Sequence, residues 1–422
     1  MPDGAPVITA VSPGAFAGYP ARMVTFRATA SNNPISWDWS FGGGAVPNTD
    51  SAAEPRVMLG ESGTYTGHVR ASNNQGTGQT FRFTYTVEVP IQATFTDIHI
   101  TDAPEPVAFE AVQLGTKLAV AYRTGDEVRV ARATKAVPTG PADWVEHKVD
   151  DADGGGVPGV VATPERLYVA YFRQRRMVVA TSIGQEPSSA ADYGVGIVQA
   201  GETGSGMAML IRGTTPYVGY VDGGGRAMMG PATGLIGNEW TIAVDPGGEG
   251  LRVAQDAQGL WAAWFNRTRG EVVVARQRNG QWSHHRIAGA AEGVALQRVR
   301  DRLYLLTGEG SAGQMRVLIS KGPDPQSAED YTELLLVGRN FAGPASLGVV
   351  EGRLAFALMD PAGRMNIARS LKVTPLHSSD FAFVALDPGD EASVLQLNER
   401  VVFVYSGLDQ KSLTAELGSG SW

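Results

Sequence analysis

Three aspartates in one short segment form the densest group of potential metal ligands in the chain. Asp150, Asp151 and Asp153 lie in DDADGGG, where carboxylates precede a run of glycines. Hard oxygen ligands at such spacing suit Ca²⁺, but the twelfth position counted from Asp151 is Ala162, so no glutamate closes an EF-hand. The sequence predicts either a Ca²⁺ site of another kind or a solvated acidic turn.

A second set of residues could bind an organic ligand. Arg123 and Arg173 follow equivalent apolar segments, and arginine binds carboxylates in a bidentate manner. Phe172 and Phe265 could stack on sugar rings if they are exposed. Asp222 opens the turn DGGG and completes the set of candidate ligand-binding residues. The alternatives are bonding between repeated units for the arginines and packing between units for the phenylalanines.

Most catalytic and binding classes find no support in the sequence. There is no Ser/His/Asp order, no H-E-x-x-H and no phosphate-binding glycine loop, so no catalytic residue is assigned. Cysteine is absent, which excludes disulfides and thiolate metal sites. A net charge of −8 without a basic cluster argues against nucleic acid as a partner. No run of 18 apolar residues occurs, which argues against membrane insertion.

The elements that must position these residues recur along residues 91–422. Seven strongly apolar segments, beginning at residues 118, 167, 217, 260, 303, 354 and 401, are spaced by 43 to 51 residues. Each is followed by a short turn and a second β-type segment, and each is preceded by another. A period of this length that contains only strands is typical of a β-propeller blade.

The outer strand of each unit starts with an aromatic residue, and its copies are out of step with the other strands. Six copies begin at Trp144, Tyr193, Trp240, Trp282, Tyr331 and Phe381, and the chain ends before a seventh. The missing copy starts at Phe95, so we expect Phe95–Ile100 to pair with Ser412–Leu417 and leave no open sheet edge. The pattern resembles degenerate sialidase-like or lectin-like propellers, without a WD, kelch or Asp-box signature.

Residues 1–90 differ from this pattern. Short alternating strands are separated by SNNP, FGGGAVPN and NNQGTG, which predicts a two-sheet sandwich. WDWSFGGG at 37–44 and GTYTGHVRASNNQGT at 63–77 resemble the paired motifs of PKD (polycystic kidney disease) domains, although Gly43 stands where that family usually has an acid. The resemblance implies an Ig-like spacer or interaction module outside cells. We expect Trp37, Trp39, Phe41 and Tyr65 to pack in its core.

These expectations combine into an all-β protein, an Ig-like sandwich followed by a seven-bladed β-propeller. Loops from the fourth to the next first strand share a face with the second-to-third loops, and this face should hold the binding site. These fourth-to-first loops are acidic, with Asp102, Asp150, Asp151, Asp153 and Asp245 among their residues. Such acids could be solvated turn residues or could attract a cation or a basic partner.

The sequence favours a non-catalytic recognition or adhesion protein that binds a surface glycan or protein. A structural part of a phage tail or surface assembly is one alternative, and a propeller glycan hydrolase or lyase is another. The N-terminal MPDGAPVITAV shows no basic segment before an apolar run, so it predicts no signal peptide. The expected location is extracellular, cell-surface or virion-associated.

Overall fold

The structure is a computed structural model of an all-β chain. It describes residues 4–14, 16–18, 23–87, 89–90, 94–103, 107–152, 156–199, 204–233, 241–245, 247–290, 292–309, 314–337, 340–341, 346–359, 364–372, 375, 380–389, 391–398, 400–407 and 412–419. Its helical elements, within these residues, are short 3₁₀ turns such as Pro141–Asp143. No helix in this part of the chain is long and apolar enough to cross a membrane.

The chain divides into two compact units. Unit 1 comprises residues 1–91, 334–338 and 368–384, and unit 2 comprises 92–333, 339–367 and 385–422. The first boundary lies next to the one expected from the sequence. The two later segments of unit 1 fall within the range that the sequence assigned to the second domain.

Residues 4–90 form short strands rich in β-branched and aromatic residues. In chain order they are β1 (Ile8–Ser12), β2 (Phe16–Gly18), β3 (Met23–Thr25), β4 (Arg27–Ala30), β5 (Ser36–Ser40), β6 (Ala45–Val46), β7 (Thr49–Asp50), β8 (Arg56–Leu59), β9 (Gly63–Asn73), β10 (Gly76–Thr77), β11 (Phe81–Val87) and β12 (Val89–Pro90). One sheet has the order β2-β11-β9-β5-β7, with β10 beside β9; another is β3-β8-β6; and β1 pairs with β4.

One hydrophobic cluster holds these strands together. Trp39 and Phe41 are fully buried, and the Trp39 indole N–H donates to the carbonyl of Ala52 at 3.0 Å. Trp37 and Tyr65 are partly buried and pack against the same cluster. Their predicted role in core packing is therefore confirmed, with Trp37 and Tyr65 at the edge of the core.

The strands of residues 94–422 follow the repeat seen in the sequence. They are β13 (Thr94–Asp102), β14 (Val107–Leu114), β15 (Lys117–Thr124), β16 (Glu127–Ala133), β17 (Trp144–Asp151), β18 (Gly159–Ala162), β19 (Leu167–Arg173), β20 (Arg176–Ser182), β21 (Tyr193–Gln199), β22 (Gly204–Arg212), β23 (Thr215–Asp222), β24 (Arg226–Pro231), β25 (Thr241–Val244), β26 (Gly248–Asp256), β27 (Gly259–Asn266), β28 (Glu271–Arg278), β29 (Gln281–Ala288), β30 (Glu292–Val299), β31 (Arg302–Glu309), β32 (Gln314–Ser320), β33 (Tyr331–Val337), β34 (Asn340–Phe341), β35 (Leu347–Val350), β36 (Arg353–Met359), β37 (Arg364–Ser370), β38 (Phe381–Pro388), β39 (Ala392–Leu397), β40 (Arg400–Ser406) and β41 (Ser412–Ser419).

These strands assemble mainly into four-stranded antiparallel sheets of consecutive strands. The sheets are β14-β15-β16-β17, β18-β19-β20-β21, β22-β23-β24-β25, β26-β27-β28-β29 and β30-β31-β32-β33. Further along, β34 and β35 both pair with β36. In unit 1, β12 pairs in parallel with β38, joining Val89 to Ala382. The segment DFAFVAL, predicted as an outer strand, therefore lies beside the end of the N-terminal region.

The first and last strands of unit 2 close a sheet together. β13 pairs antiparallel with β41 in the sheet β13-β41-β40-β39, with Phe95 opposite Gly418 and Asp102 opposite Ser412. The predicted pairing of the early segment with the C-terminal strand is confirmed. Since β41 is covered on both sides, it leaves no unpaired edge for other chains.

The first strands of successive sheets contact one another in a closed cycle. The order is β39, β14, β18, β22, β26, β30, β35 and back to β39. The second strands are mostly apolar because sheets cover them on both faces; in β27 every residue is buried. Such packing places the ends of outer strands from one sheet beside the second strand of the next.

Candidate functional site

At two junctions between adjacent sheets, an aspartate at or just after the end of an outer strand bonds to side chains of the next sheet. Asp150, at the end of β17, accepts a hydrogen bond at 2.5 Å from the Tyr171 hydroxyl in β19. The same carboxylate oxygen lies 2.5 Å from Nη1 of Arg173, also in β19. This three-residue contact fills the junction between β14–β17 and β18–β21.

A second junction uses the same chemistry. Asp245 follows β25, and its carboxylate accepts hydrogen bonds at 3.0 Å from the Trp264 indole in β27 and from Arg286 in β29. Burial acts to raise the pKa of Asp245, but hydrogen bonds from Asn266, Trp264 and Arg286 outweigh it and leave the pKa below its ordinary value. We call the Asp150 and Asp245 contacts the two closed junctions.

The junction between the β13–β41 sheet and β14–β17 lacks this contact. β13 and β17 each have a bulge at the equivalent position, at Ile100 in β13 and at Val149 in β17. Thr101, which follows the first bulge, therefore occupies the position that Asp150 holds in the next sheet. Thr124 lies two residues after Tyr122, as Arg173 lies two residues after Tyr171. Two threonines therefore replace the aspartate and the arginine, and we call this the open junction.

A cavity of about 490 Å³ occupies the open junction. Its volume is within the range of small-molecule sites in proteins. It adjoins the β15–β16 turn and the end of β13, and therefore lies on the face that the sequence predicted for binding. The lining residues are Asp102, Ala103, Tyr122, Thr124, Gly125, Glu127, Arg129 and Glu146.

Glu146 is the centre of a hydrogen-bond network in this cavity. Thr101 donates to its Oε2 at 2.5 Å, and Arg129 Nε donates to its Oε1 at 2.7 Å. Burial acts to raise the pKa of Glu146, but the bonds from Thr101, Tyr122 and Arg129 prevail and lower it. Burial, with the adjacent Glu146 carboxylate, raises the pKa of Tyr122, so its hydroxyl stays protonated.

The second carboxylate of the cavity, Glu127, is held by two cations. Arg129 Nη1 bonds to its Oε2 at 2.7 Å, and Lys148 Nζ lies 3.1 Å from its Oε1. These two bonds lower the pKa of Glu127. Lys148 also pairs with Asp151 at 2.5 Å. Asp102, by contrast, is largely solvent-exposed, with its side chain 83 % accessible and 3.5 Å from His99.

The aspartates predicted to hold Ca²⁺ are engaged elsewhere. Asp150 bonds to Tyr171 and Arg173, and Asp151 pairs with Lys148. Asp153 lies outside the described residues. Within the residues that the structure describes, no group of three or more His, Cys, Asp or Glu side chains is placed to hold a metal ion.

Of the two candidate arginines, Arg173 fits the alternative of bonding between sheets. Arg173 reaches across to Asp150 of the neighbouring sheet, which is the structural alternative that the sequence left open. Arg123 is half-buried in β15, opposite Ala108 and Val128. Neither lines the cavity of the open junction.

Three candidate ligand-binding residues are corrected by burial. Phe172 and Phe265 are each only 2 % exposed, because the next sheet covers that face; Phe172 packs edge-on against Tyr220 at 5.8 Å. They cannot stack on a sugar. Asp222 is buried too, and its carboxylate accepts the backbone N–H groups of Gly224 and Arg226 within its own turn.

Sequence reasoning missed the residues that form the cavity, apart from Asp102. Thr101, Tyr122, Arg129 and Glu146 were unremarkable as single residues. The available signal was a departure from the repeat, since Thr101 and Thr124 stand where the next unit has Asp150 and Arg173. That comparison needs the bulge register, which the structure supplies.

Comparison with known proteins identifies the fold. No protein-family model and no curated protein sequence match the chain. BBS1N, solved in complex with ARL6DN, is 12 % identical with a TM-score of 0.50 over 78 % of this chain and 97 % of its own. An ancestral GH74 enzyme is 8 % identical, with a TM-score of 0.50 over 95 % of this chain and 64 % of its own.

The structural neighbours are β-propellers, so the chain contains a β-propeller fold. The lectin SapL1, solved with α-methyl fucoside, also matches, at 12 % identity and a TM-score of 0.44 over 76 % of this chain and 95 % of its own. At identities this low the similarity shows only the fold, and the function depends on the residues of the site.

Proposed function

We propose that this chain is a non-catalytic recognition or adhesion protein whose propeller binds a surface glycan or protein at the open junction. The propeller has seven blades in this proposal, one for each inner strand of the closed cycle. The observation that carries it is the cavity of about 490 Å³ at the only one of three compared junctions where threonines replace the Asp–Arg pair. Polar groups around such a space favour a hydroxyl-rich ligand.

The protonation states at the cavity favour binding over hydrolysis. A glycoside hydrolase needs one carboxylic acid kept protonated at working pH by a raised pKa. Glu127 and Glu146 instead have lowered pKa values, because Arg129 and Lys148 bond to Glu127, and Thr101, Tyr122 and Arg129 bond to Glu146. Ionised carboxylates of this kind suit the role of hydrogen-bond acceptors for a ligand better than that of a general acid.

The N-terminal region serves in this proposal as an Ig-like, PKD-like spacer or interaction module. Its support is the sequence resemblance together with the aromatic core around Trp39 and Phe41. A protein of this kind would act outside the cell, at a cell surface or on a virion. Fractionation of the native source with an antibody to the chain tests the location, and an exclusively cytosolic signal would contradict it.

The test of function is a glycan array probed with three forms of the full chain. Thr101→Asp with Thr124→Arg places the side chains of the closed junction in the open one, and should abolish binding by filling the cavity. Asp150→Thr with Arg173→Thr, the matched control, should retain it. Equal binding by all three forms would overturn the site.

The same experiment separates the alternatives. Saturable binding without product release supports recognition. Release of shortened oligosaccharides from any bound glycan would favour a hydrolase or lyase and overturn the non-catalytic proposal. Co-purification in a large particle, with no glycan bound, would favour a structural component of an assembly instead.

Ca²⁺ at Asp150, Asp151 and Asp153 is a separate proposal that rests on the DDADGGG sequence. Binding would have to compete with Arg173 and Lys148 for two of the carboxylates. An ion that binds the folded state raises the melting temperature by mass action. A melting shift in millimolar Ca²⁺ that is lost in Asp151→Asn would support the site, and no shift would contradict it.

A further inference from the structure

The side chains that line the open junction carry excess negative charge. Asp102, Glu127 and Glu146 face one guanidinium, that of Arg129. Lys148 approaches Glu127 from beside the cavity, but it is also paired with Asp151. The local potential is therefore negative, which attracts a cation and repels an anion.

The hydrogen-bond donors of the cavity are already in use. Arg129 donates to Glu146 and Glu127, and Thr101 donates to Glu146. The Tyr122 hydroxyl bonds to Glu146 as well. Each ionised carboxylate has about four lone-pair positions, so Glu127 and Asp102 keep acceptor capacity. A ligand must consequently bring donors, such as hydroxyl or ammonium groups.

The size of the cavity sets a lower limit on the ligand. A volume of about 490 Å³ exceeds what a bare ammonium or metal ion would fill, and it suits a ring with several substituents. Unfilled polar space would hold water, whose displacement helps binding only if the ligand reproduces its hydrogen bonds. A polyhydroxylated ring with one cationic group meets the requirements of size, donors and charge together.

We propose that the open junction binds a hexosamine with a free, protonated amino group. The ammonium group pairs with Glu127, and ring hydroxyls donate to Asp102 and to the remaining carboxylate oxygens. N-acetylation removes the charge, and a uronic acid adds charge of the wrong sign, so both weaken binding. This inference rests on the proposed function, because it uses the same cavity as the recognition site.

The experiment is calorimetric titration of the full chain with glucosamine, glucose, N-acetylglucosamine and glucuronic acid. We expect glucosamine to bind at least about tenfold more tightly than glucose or N-acetylglucosamine, with affinity falling as salt rises. Glu127→Gln should weaken glucosamine about tenfold and leave glucose nearly unchanged. Glu54→Gln, at an exposed glutamate paired with Arg27 in unit 1, is the control and should change neither.

Two failures are distinguishable. If glucose or N-acetylglucosamine binds as well as glucosamine, and the Thr101→Asp, Thr124→Arg variant abolishes that binding, the hexosamine inference is wrong while the recognition site stands. If that variant binds every sugar as the parent chain does, the cavity is not the site and both proposals fail. Loss of glucosamine selectivity in Glu127→Gln and in the Thr101→Asp, Thr124→Arg variant supports the recognition site and the hexosamine inference.

Discussion

The open junction and the closed junction that follows it are built on the same backbone and differ in a few side chains. Both have a bulge near the end of the outer strand and a buried tyrosine in the neighbouring second strand. At the closed junction, Tyr171 bonds to Asp150, whereas at the open junction Tyr122 bonds to Glu146. Where the closed junction has an Asp–Arg pair, the open junction has two threonines and an accessible polar cavity.

A histidine–tyrosine contact lies at the outer edge of two junctions, the Asp150 junction and the junction between β26–β29 and β30–β33. His147 in β17 lies 3.1 Å from the Tyr193 hydroxyl, and His285 in β29 lies 3.2 Å from that of Tyr331. At the open junction the matching positions are Ile98 and Trp144, which cannot titrate. The open junction therefore differs from these two junctions at its outer edge as well as at its cavity.

The largest effect should come from removing the acid of a closed junction. Asp245→Ala removes the buried carboxylate from the buried Trp264 indole and from half-buried Arg286, which keeps only Glu271 at 3.4 Å, and this should cost about 3 kcal/mol of unfolding free energy. Urea denaturation measures the change. A loss below about 1 kcal/mol would mean that the closed junction does not stabilise the ring.

Acidification should weaken the histidine–tyrosine contacts. Burial lowers the pKa of His147 and of His285 to about 4, against about 6.5 when unfolded. Between these values the unfolded state binds more protons, so stability is full above about pH 6.5 and falls as pH drops towards 4. The loss is at most about 3 kcal/mol per histidine.

Urea midpoints measured from pH 7 to pH 4 test these contacts. His285→Phe removes one titrating group, so its stability should fall less steeply over that range than that of the parent chain. Identical slopes in the two proteins would show that His285 does not carry the effect. Ile98 and Trp144, at the matching positions of the open junction, should add nothing to the slope, and the lowered pKa values of Glu127 and Glu146 contribute only as the pH approaches 4.5.

Transferring the closed contact into the open junction should have a moderate effect on stability. Thr101→Asp alone removes the hydroxyl donor from Glu146 and places a second carboxylate beside it, so it should lower stability; adding Thr124→Arg supplies a cation and should recover about 1 kcal/mol, while ligand binding is lost. Thermal melting of the double variant against each single variant measures the coupling. A lower melting temperature in the double variant than in both singles would show that the two junctions are not equivalent.

The smallest effect should come from Asp102→Ala at the rim of the cavity. Its carboxylate is exposed, so we expect unfolding free energy to change by less than about 0.5 kcal/mol. Comparison with Asp245→Ala then contrasts an exposed acid at the rim of the cavity with a buried acid that joins two sheets. A loss as large as that of Asp245→Ala would remove this contrast.

Much of the fold was predictable because the strand pattern repeats along the sequence. The apolar segments recur at a regular spacing, and the missing outer strand at the C-terminus pointed to Phe95 as its substitute. The pairing of β13 with β41 follows that prediction. The addition of residues 334–338 and 368–384 to unit 1 was not predictable, since no local pattern distinguishes them from the other repeats.

The sites were predicted less well, for a specific reason. Phe172 and Phe265 look available in the sequence because alternation along one strand does not reveal whether another sheet covers that face. Arg173 was predicted to bind a ligand and Asp150 to bind a metal ion because the sequence reveals their charges. The sequence does not reveal that the two side chains pair with each other.

By itself, the sequence determined the strand pattern, the repeat and the closure of the last sheet, because these depend on periodic hydrophobicity and local turn chemistry. Only the tertiary structure decided which charges neutralise one another and where a cavity is left. Those outcomes depend on side chains from different sheets, such as Thr101, Arg129 and Glu146, which meet only after the sheets pack.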